Sequence, residues 1–313
     1  MLTYLDFEKP IAELETRVAE LRETASNGSI DIDAEIDRLE AKSTRLLRET
    51  YAKLSPWQKT QVARHPERPH FKDYVAGIAD DFVPLAGDRA FGEDQAIVGG
   101  LARIDGRRIM LIGHEKGDDT ASRLKHNFGM AKPEGYRKAI RLMQLADRFG
   151  IPVVSLVDTP GAFPGVQAEE RGQAEAIARS TEQCLALKVP MISAIVGEGG
   201  SGGAIAISAA NRVLMFEHAI YSVISPEGCA SILWRTADKA GEAAEAMRIT
   251  ATDLQALGVV DRVVPEPLGG AQRDPAAALE SLKSALIEEL AGCAELGPDE
   301  LLAQRRAKFL AIG

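Results

Sequence analysis

The most informative stretch of the chain is glycine-rich and reads Gly197-Glu198-Gly199-Gly200-Ser201-Gly202-Gly203-Ala204. It follows the apolar run 191–196, which predicts a buried strand, and precedes the small-residue run 204–210, which predicts a short helix. Glycines let a backbone approach a ligand closely. The first N–H groups of a helix lack intrahelical partners and favour an oxygen that bears negative charge. The stretch therefore predicts a ligand-binding loop at the end of a strand.

Two sequence motifs match this loop by letter. Gly197, Gly199 and Gly202 satisfy the dinucleotide motif G-x-G-x-x-G, and Glu217 lies twenty residues after Gly197. However, the helix that follows is predicted to be short, and the loop lies in the middle of the chain. The nucleophile motif G-x-S-x-G also matches, with Ser201 at its centre. A hydrolase of that type needs an acid and then a histidine later in the chain, and only His218 follows Ser201.

Two further interpretations concern oxygen binding. The run Asp158-Thr159-Pro160-Gly161 resembles the magnesium loop of a GTPase, but the chain has no G-x-x-x-x-G-K-[ST] phosphate loop. Alternatively, the N–H groups of Gly202 and Gly203 form an oxyanion hole, in which one donor is typically worth about 2.7–4 kcal/mol. This function needs no catalytic side chain, which suits a chain whose five histidines form no recognisable triad. Close packing of helix against strand is the structural alternative for these glycines.

Helices and strands alternate on both sides of the loop. Strands are predicted at 96–103 and 108–113 around the turn Asp105-Gly106, then helix 133–149, strand 153–157, loop 158–165, helix 168–187, strand 191–196, loop 197–203 and strand 221–224. Ser225-Pro226-Glu227 has the cap residue, proline and early acid of a helix start. The pattern predicts an α/β fold with a parallel sheet, whose ligands bind at the carboxyl ends of the strands.

The first part of the chain has a different pattern. Apolar residues at helical spacing define two narrow stripes: Ile11, Leu14, Val18 and Leu21, then Ile32, Ile36, Leu39 and Leu46. The turn-like Ser26-Asn27-Gly28-Ser29 separates them, so a helical hairpin is predicted, with its stripe buried against the body or a partner. We therefore divide the chain into an N-terminal helical extension (1–90), a core (91–272) and a C-terminal helical segment (273–313).

Composition excludes several classes of protein. The 313 residues are 45% hydrophobic and carry a net charge of -9, so general affinity for nucleic acid or anionic membranes is not expected. No run approaches the ~18 apolar residues of a membrane span. Three cysteines, widely spaced and without a C-x-x-C pair, exclude a zinc ribbon or disulfide framework. We expect a cytoplasmic protein without a metal site.

Several long motifs resemble one family, the alpha subunits of bacterial acetyl-CoA carboxylase carboxyltransferases, which belong to the crotonase superfamily. These motifs are the loop 197–204, the segments 158–165 and 168–172, the segment 221–234, the run Ala63-Arg64-His65-Pro66-Glu67-Arg68-Pro69, the run 265–271, and the opening 5–14. The resemblance spans nearly the whole chain but fades after about residue 273.

The resemblance implies a crotonase-type ββα superhelix and a set of partners. A beta subunit of related fold would complete the active site in an α2β2 assembly and would carry the family's zinc. Biotin would arrive as carboxybiotin on the biotin carboxyl carrier protein, because this chain has no Met-Lys-Met attachment motif. A separate biotin carboxylase would use the ATP. Acetyl-CoA would become malonyl-CoA, the first committed step of fatty acid synthesis.

The resemblance also assigns roles to residues of this chain. Gly202 and Gly203 would be the catalytic residues, holding the biotin ureido oxygen as carboxybiotin gives up CO2. The biotin anion would then take a proton from the acetyl group, so no protein base is needed. The expected substrate- and biotin-binding residues are Gly199, Gly200, Gly161, Phe163, Gly165, Glu227 and Gly228.

Two rival functions remain open. A self-contained crotonase-fold hydratase or thioesterase would need a carboxylate for acid–base work, and Glu198 and Glu227 are the loop candidates. A scaffold subunit would instead use the N-terminal helices for assembly, and substitution of Gly203 would leave turnover intact.

Overall fold

The computed structural model describes residues 3–27 and 33–312. These residues form eight strands: β1 Asp80–Pro84, β2 Ile97–Ile104, β3 Arg107–His114, β4 Val153–Thr159, β5 Met191–Gly200, β6 Arg212–Phe216, β7 Ile220–Ser222 and β8 Arg262–Val264. They also form fourteen α-helices: α1 Lys9–Asn27, α2 Asp33–Tyr51, α3 Pro56–Ala63, α4 Phe71–Ile78, α5 Thr120–Lys125, α6 Pro133–Arg148, α7 Val166–Glu170, α8 Gln173–Ala186, α9 Ser201–Ile205, α10 Pro226–Trp234, α11 Ala240–Met247, α12 Ala251–Ala256, α13 Pro275–Gly292 and α14 Pro298–Ala311.

One mixed sheet organises the molecule. Its strand order is β1-β2-β3-β4-β5-β6-β8, and β7 pairs with the end of β5. The pairs β1–β2 and β2–β3 are antiparallel, whereas the pairs from β3 onward are parallel. Every residue of β4 and β5 is buried, as expected for parallel strands covered on both faces. The carboxyl ends of β3, β4 and β5 therefore meet at one edge.

The predicted hairpin and the predicted helix start are confirmed. Strands β2 and β3 turn at Asp105 (φ 49°) and Gly106 (φ 71°), and two successive positive φ angles suit the twist of a tight hairpin. Helix α10 begins at Pro226, where the Ser225 hydroxyl accepts a hydrogen bond from the Gly228 N–H at 3.1 Å.

Three predicted elements are wrong in detail. The predicted helix 168–187 is two helices, α7 and α8, because Gly172 adopts a left-handed conformation (φ 80°) between them. The predicted loop 197–203 is strand as far as Gly200, since β7 supplies hydrogen-bonding partners to the glycine-rich end of β5. The helix that follows is α9, of five residues, rather than 204–210. Strand β6 was not predicted.

The two predicted N-terminal helices are confirmed as α1 and α2. Their stripes bury Ile11, Val18 and Ile36, and Ile11 packs in a small cluster with Leu47 of α2 and Val62 of α3. The predicted turn at Gly28-Ser29 and the stripe residue Ile32 lie outside the described residues.

Hydrophobic contacts cross both boundaries of the proposed three-part division. The main core includes Tyr74 and Ile78 of α4 and Leu282 and Leu286 of α13, together with the sheet residues. Helix α14 is anchored by the fully buried Arg305, whose guanidinium donates to the carbonyls of residues 185, 187 and 189. The division itself stays a prediction. Among the described residues, no helix combines the length and hydropathy of a membrane span.

Candidate active site

Two glycine-containing loops touch at the carboxyl end of the sheet. A Cβ added to Gly200 would lie 2.3 Å from the carbonyl carbon of Pro160, and one added to Gly203 would lie 2.7 Å from that of Gly161. Backbone atoms cannot move aside to make room for a Cβ, as the end of a flexible side chain can. Glycine is therefore required at both positions for the segments 160–162 and 200–203 to pack in contact.

Gly202 and Gly203 occupy the first turn of α9, after the N-cap residue Gly200. N–H groups in the first turn of a helix have no partner within that helix. A Cβ at Gly202 would make only an ordinary contact of 3.4 Å with the Ile177 side chain, so close packing does not explain a glycine there. The two N–H groups suit an oxygen acceptor, and because α9 is so short, its dipole adds little.

The groove beside α9 is large and mainly apolar. Its volume is 650 Å³, within the usual range for small-molecule sites. Its lining includes Gly202, Ile205, Tyr221, Val223 and Ile224. A flat, weakly polar ring system with one polar edge fits this chemistry.

The other predicted site residues lie around these loops. A Cβ at Gly199 would contact the Tyr221 ring at 2.8 Å, so this glycine serves packing. Phe163 is held by its backbone: its N–H donates to the Ala131 carbonyl at 3.0 Å, and its carbonyl accepts from Gln173. The Phe163 ring covers the position where a Cβ of Gly165 would stand, 2.3 Å away.

Glu227 and Gly228 form the first turn of α10, and Arg64 links that turn to β5. The Arg64 guanidinium contacts Glu198 at 2.7 and 3.0 Å and Glu227 at 2.6 Å. Partial burial acts to raise the pKa of the Glu227 carboxyl, but the hydrogen bond and charge of Arg64 outweigh it and hold that pKa below its usual value. Gly228 has a capping role through Ser225. The sequence analysis did not identify Arg64 as the link between these two acids, although it recognised the motif 63–69 that contains this residue.

A second ion pair lies next to the glycine-rich loop. Asp158, at the end of β4, binds Lys116 at 2.5 Å and accepts a hydrogen bond from the Glu198 N–H at 2.9 Å. A Cβ at Gly197 would lie 2.4 Å from the Asp158 carboxylate, so glycine there makes room for this pair. Lys116 carried no recognisable motif and was also missed.

Comparison with known proteins places the chain in a family. A family model described as acetyl co-enzyme A carboxylase carboxyltransferase-like matches residues 4–313. The chain belongs to this family. The acetyl-coenzyme A carboxylase carboxyl transferase subunit alpha of Rhizorhabdus wittichii is 76% identical to it over 313 residues, which cover 100% of both chains. The predicted family and the predicted transferase class are confirmed.

Two solved structures are similar in fold to this chain. The transcarboxylase 12S structure with bound methylmalonyl-coenzyme A has a TM-score of 0.55 and 26% identity, covering 70% of this chain and 42% of its own. The beta subunit of geranyl-CoA carboxylase from P. aeruginosa has a TM-score of 0.58 and 20% identity, covering 79% and 46%. The predicted crotonase-type α/β fold is confirmed.

The alternative interpretations of the loop can each be compared with the structure. A dinucleotide site lacks its long helix, because α9 has five residues. Ser201 has the positive φ of a nucleophile elbow, 51°. However, His218 is 4% exposed and packs edge-on against the Tyr51 ring, 5.4 Å between centroids, and no described hydrogen bond joins it to Ser201. In the described part of the chain, no three His, Cys, Asp or Glu side chains come together as metal ligands.

His114 lies at the end of β3 and is buried behind these loops. Its protonation is expected to make the stability of the folded protein depend on pH. Burial lowers its pKa to about 4, although the Asp158 carboxylate acts in the opposite direction. The unfolded imidazole gains a proton below pH ~6.5. Because the unfolded state binds more protons between pH 6.5 and 4, the free energy of unfolding falls as pH falls, by about 1.4 kcal/mol per unit for this residue.

We expect His114→Gln to make that dependence shallower, because the amide does not titrate. Urea unfolding at several pH values between 7 and 4.5 measures the slope for both chains. Equal slopes would contradict the assignment of this protonation to His114.

Proposed function

We propose that this chain is the alpha half of a carboxyltransferase that moves the carboxyl group of carboxybiotin to acetyl-CoA, forming malonyl-CoA. The observation that carries the proposal is the pair of N–H groups at Gly202 and Gly203, held by backbone contact with Gly161 at the mouth of an apolar groove. Family membership supports the same activity.

Biotin supplies a ureido group that carries the carboxyl group and, after losing it, takes a proton from the acetyl methyl. The N–H groups of Gly202 and Gly203 would donate to the ureido oxygen as negative charge develops there. Preorganised donors of this kind stabilise the charge without reorganising. Phe163 and Gly165 would border the bound ring. Glu227 and Gly228 would shape the opposite wall through the start of α10, and Gly199 and Gly200 would form its floor.

The pairing of both loop carboxylates with Arg64 disfavours a self-contained hydratase. A general base must reach the substrate, yet Arg64 binds both Glu198 and Glu227. Carboxyl transfer with biotin as the base requires neither of them.

The proposed partners follow from the exposed surface and the family. Val223 lines the groove and is 82% exposed, and Ile232 and Leu233 of α10, the helix whose Cys229 also lines the groove, are 72% and 63% exposed. Large exposed apolar patches mark protein interfaces. We assign this surface to a beta subunit in an α2β2 assembly, which would carry the zinc. The biotin carboxyl carrier protein would bring carboxybiotin, made by a biotin carboxylase with ATP, in the cytoplasm.

The test is carboxyl exchange from malonyl-CoA to free biotin. It is run on this chain alone, on the beta subunit alone, and on the mixture. Activity confined to the mixture supports a shared site. Activity of this chain alone would mean a self-contained enzyme, and an inactive but assembled mixture would refute the proposed reaction.

A further inference from the structure

Ser201, the first residue of α9, has a left-handed backbone conformation with φ 51°. Five of the seven residues of the loop 197–203 are glycines, and none of these glycines has a positive φ. Left-handed conformations are strained for residues that carry a Cβ, whereas glycine adopts them freely. The loop therefore places its positive φ on the serine rather than on any of its glycines.

Elsewhere in the described chain, positive φ angles at residues other than glycine have local causes. Arg235 and Arg248 are the C-cap residues of α10 and α11, where a left-handed residue commonly ends a helix. Asp105 lies in the tight hairpin between β2 and β3. Ser201 instead begins a helix, and no described hydrogen bond joins its hydroxyl to a neighbouring backbone group. Strain that local structure does not explain is concentrated at functional sites.

The Ser201 hydroxyl is available to a ligand in the groove beside α9. Ser201 is exposed and lines this groove next to Gly202. Two other residues with hydroxyls line it: the Tyr221 hydroxyl is hydrogen-bonded to another hydroxyl at 3.0 Å, and Ser222 donates to a backbone carbonyl at 2.7 Å. Among the described residues of the lining, Ser201 thus carries the hydroxyl that has no hydrogen-bond partner. A mainly apolar groove orients its ligand through a few polar groups of this kind.

We propose that Ser201 is a further catalytic residue, whose hydroxyl donates a hydrogen bond to the same charged oxygen as the N–H groups of Gly202 and Gly203. This inference rests on the proposed function, in which that oxygen belongs to the ureido group of biotin. The hydroxyl acts as a donor and forms no covalent bond, because no described base is hydrogen-bonded to it. The strain at position 201 is retained because glycine, which would relieve it, has no hydroxyl.

The experiment separates the hydroxyl from the backbone conformation with two variants, S201G and S201A. Both lack the hydroxyl, but only S201G relieves the strain, because alanine keeps the Cβ. The first measurement is the kcat and the KM for biotin of carboxyl exchange from malonyl-CoA, in the complex with the beta subunit. The second is the midpoint of urea unfolding of each chain alone, which does not depend on any ligand.

Both variants should lower kcat about tenfold or more, because removal of one oxyanion donor typically lowers kcat by about 10²–10³ and an exposed hydroxyl contributes less. The KM for biotin should change little, since a donor to charge that develops in the transition state acts on kcat. The unfolding midpoint of S201A should equal that of the wild type. That of S201G should be no lower, because the relieved strain offsets the greater freedom of glycine in the unfolded chain.

Asp105→Gly is the matched control. It relieves a positive φ of similar size, 49°, at the opposite end of β3 from the candidate site. D105G should leave kcat and KM unchanged. An unchanged kcat in S201A would overturn the inference, because the hydroxyl would then be dispensable. Lower unfolding midpoints in both variants, together with lost exchange, would overturn it as well, since that combination indicates a structural role.

The wild-type complex separates the two proposals. Absence of exchange in an assembled wild-type complex would refute the proposed function. Normal exchange in the wild type with an unchanged kcat in both variants would refute only the role of Ser201.

Discussion

Gly203→Val in the complex with the beta subunit is expected to lower carboxyl exchange at least about 100-fold, the loss typical of a removed oxyanion donor. Its Cβ would lie 2.7 Å from the Gly161 carbonyl carbon and 2.9 Å from the Ala162 nitrogen, so the two loops must separate. That separation would move the N–H groups away from the position proposed for the ureido oxygen. The rate of malonyl-CoA exchange with biotin, measured at saturating substrates, checks this result.

Gly241→Ala in α11 is the control, because a Cβ there would meet no heavy atom within 4 Å. It should leave exchange unchanged, and gel filtration establishes that both variants assemble with the beta subunit. Full activity of an assembled Gly203→Val complex would place the chemistry elsewhere and would favour the scaffold hypothesis.

Glu266→Gln is expected to produce the largest loss of stability, about 3–5 kcal/mol, because it leaves a buried arginine without its counter-charge. The Glu266 carboxylate binds Arg68 at 2.8 and 3.0 Å, and the two side chains are 0% and 2% exposed. It also accepts the backbone N–H groups of His218 and Ala271. A domain is typically stable by about 5–15 kcal/mol, so urea unfolding of the isolated chain detects such a loss readily.

Glu175→Gln is the matched control, since Glu175 pairs with Arg179 on the surface, where such pairs contribute about 0–1 kcal/mol. Burial acts to raise the pKa of the Glu266 carboxyl, but Arg68 outweighs it and holds the pKa below its usual value. The stabilisation is therefore present above the unfolded pKa and is lost as pH falls through the folded pKa. Equal losses in both variants would refute the special role of the buried pair.

Much of the fold followed from local patterns. The sequence predicted the hairpin at Asp105-Gly106, the apolar strand before the glycine-rich loop and the capped start of α10. These predictions succeeded because turn, strand and cap preferences act over a few residues. The same holds for the N-terminal helices, whose apolar stripes recur at helical spacing. Family motifs identified the transferase class, since the loop at 197–204 is long and specific.

The errors share one physical cause, which is contact between residues far apart in the chain. Strand β5 continues to Gly200 because β7 pairs with it, although glycines disfavour strands locally. The left-handed break at Gly172 between α7 and α8 lies between Arg171, which binds Glu134, and Gln173, which donates to the carbonyl of Ala131.

The alternation of helices and strands around the glycine-rich loop and the family were determined by the amino-acid sequence alone, and the sequence also predicted the glycines of the candidate site. Tertiary structure decided which charges meet. Arg64 reaches Glu198 across 134 positions and Arg68 reaches Glu266 across 198, and neither pair leaves a periodic signal in the chain. Burial then sets the energetic weight of these pairs, because the cost of removing a charge from water depends on everything that surrounds it in the folded molecule.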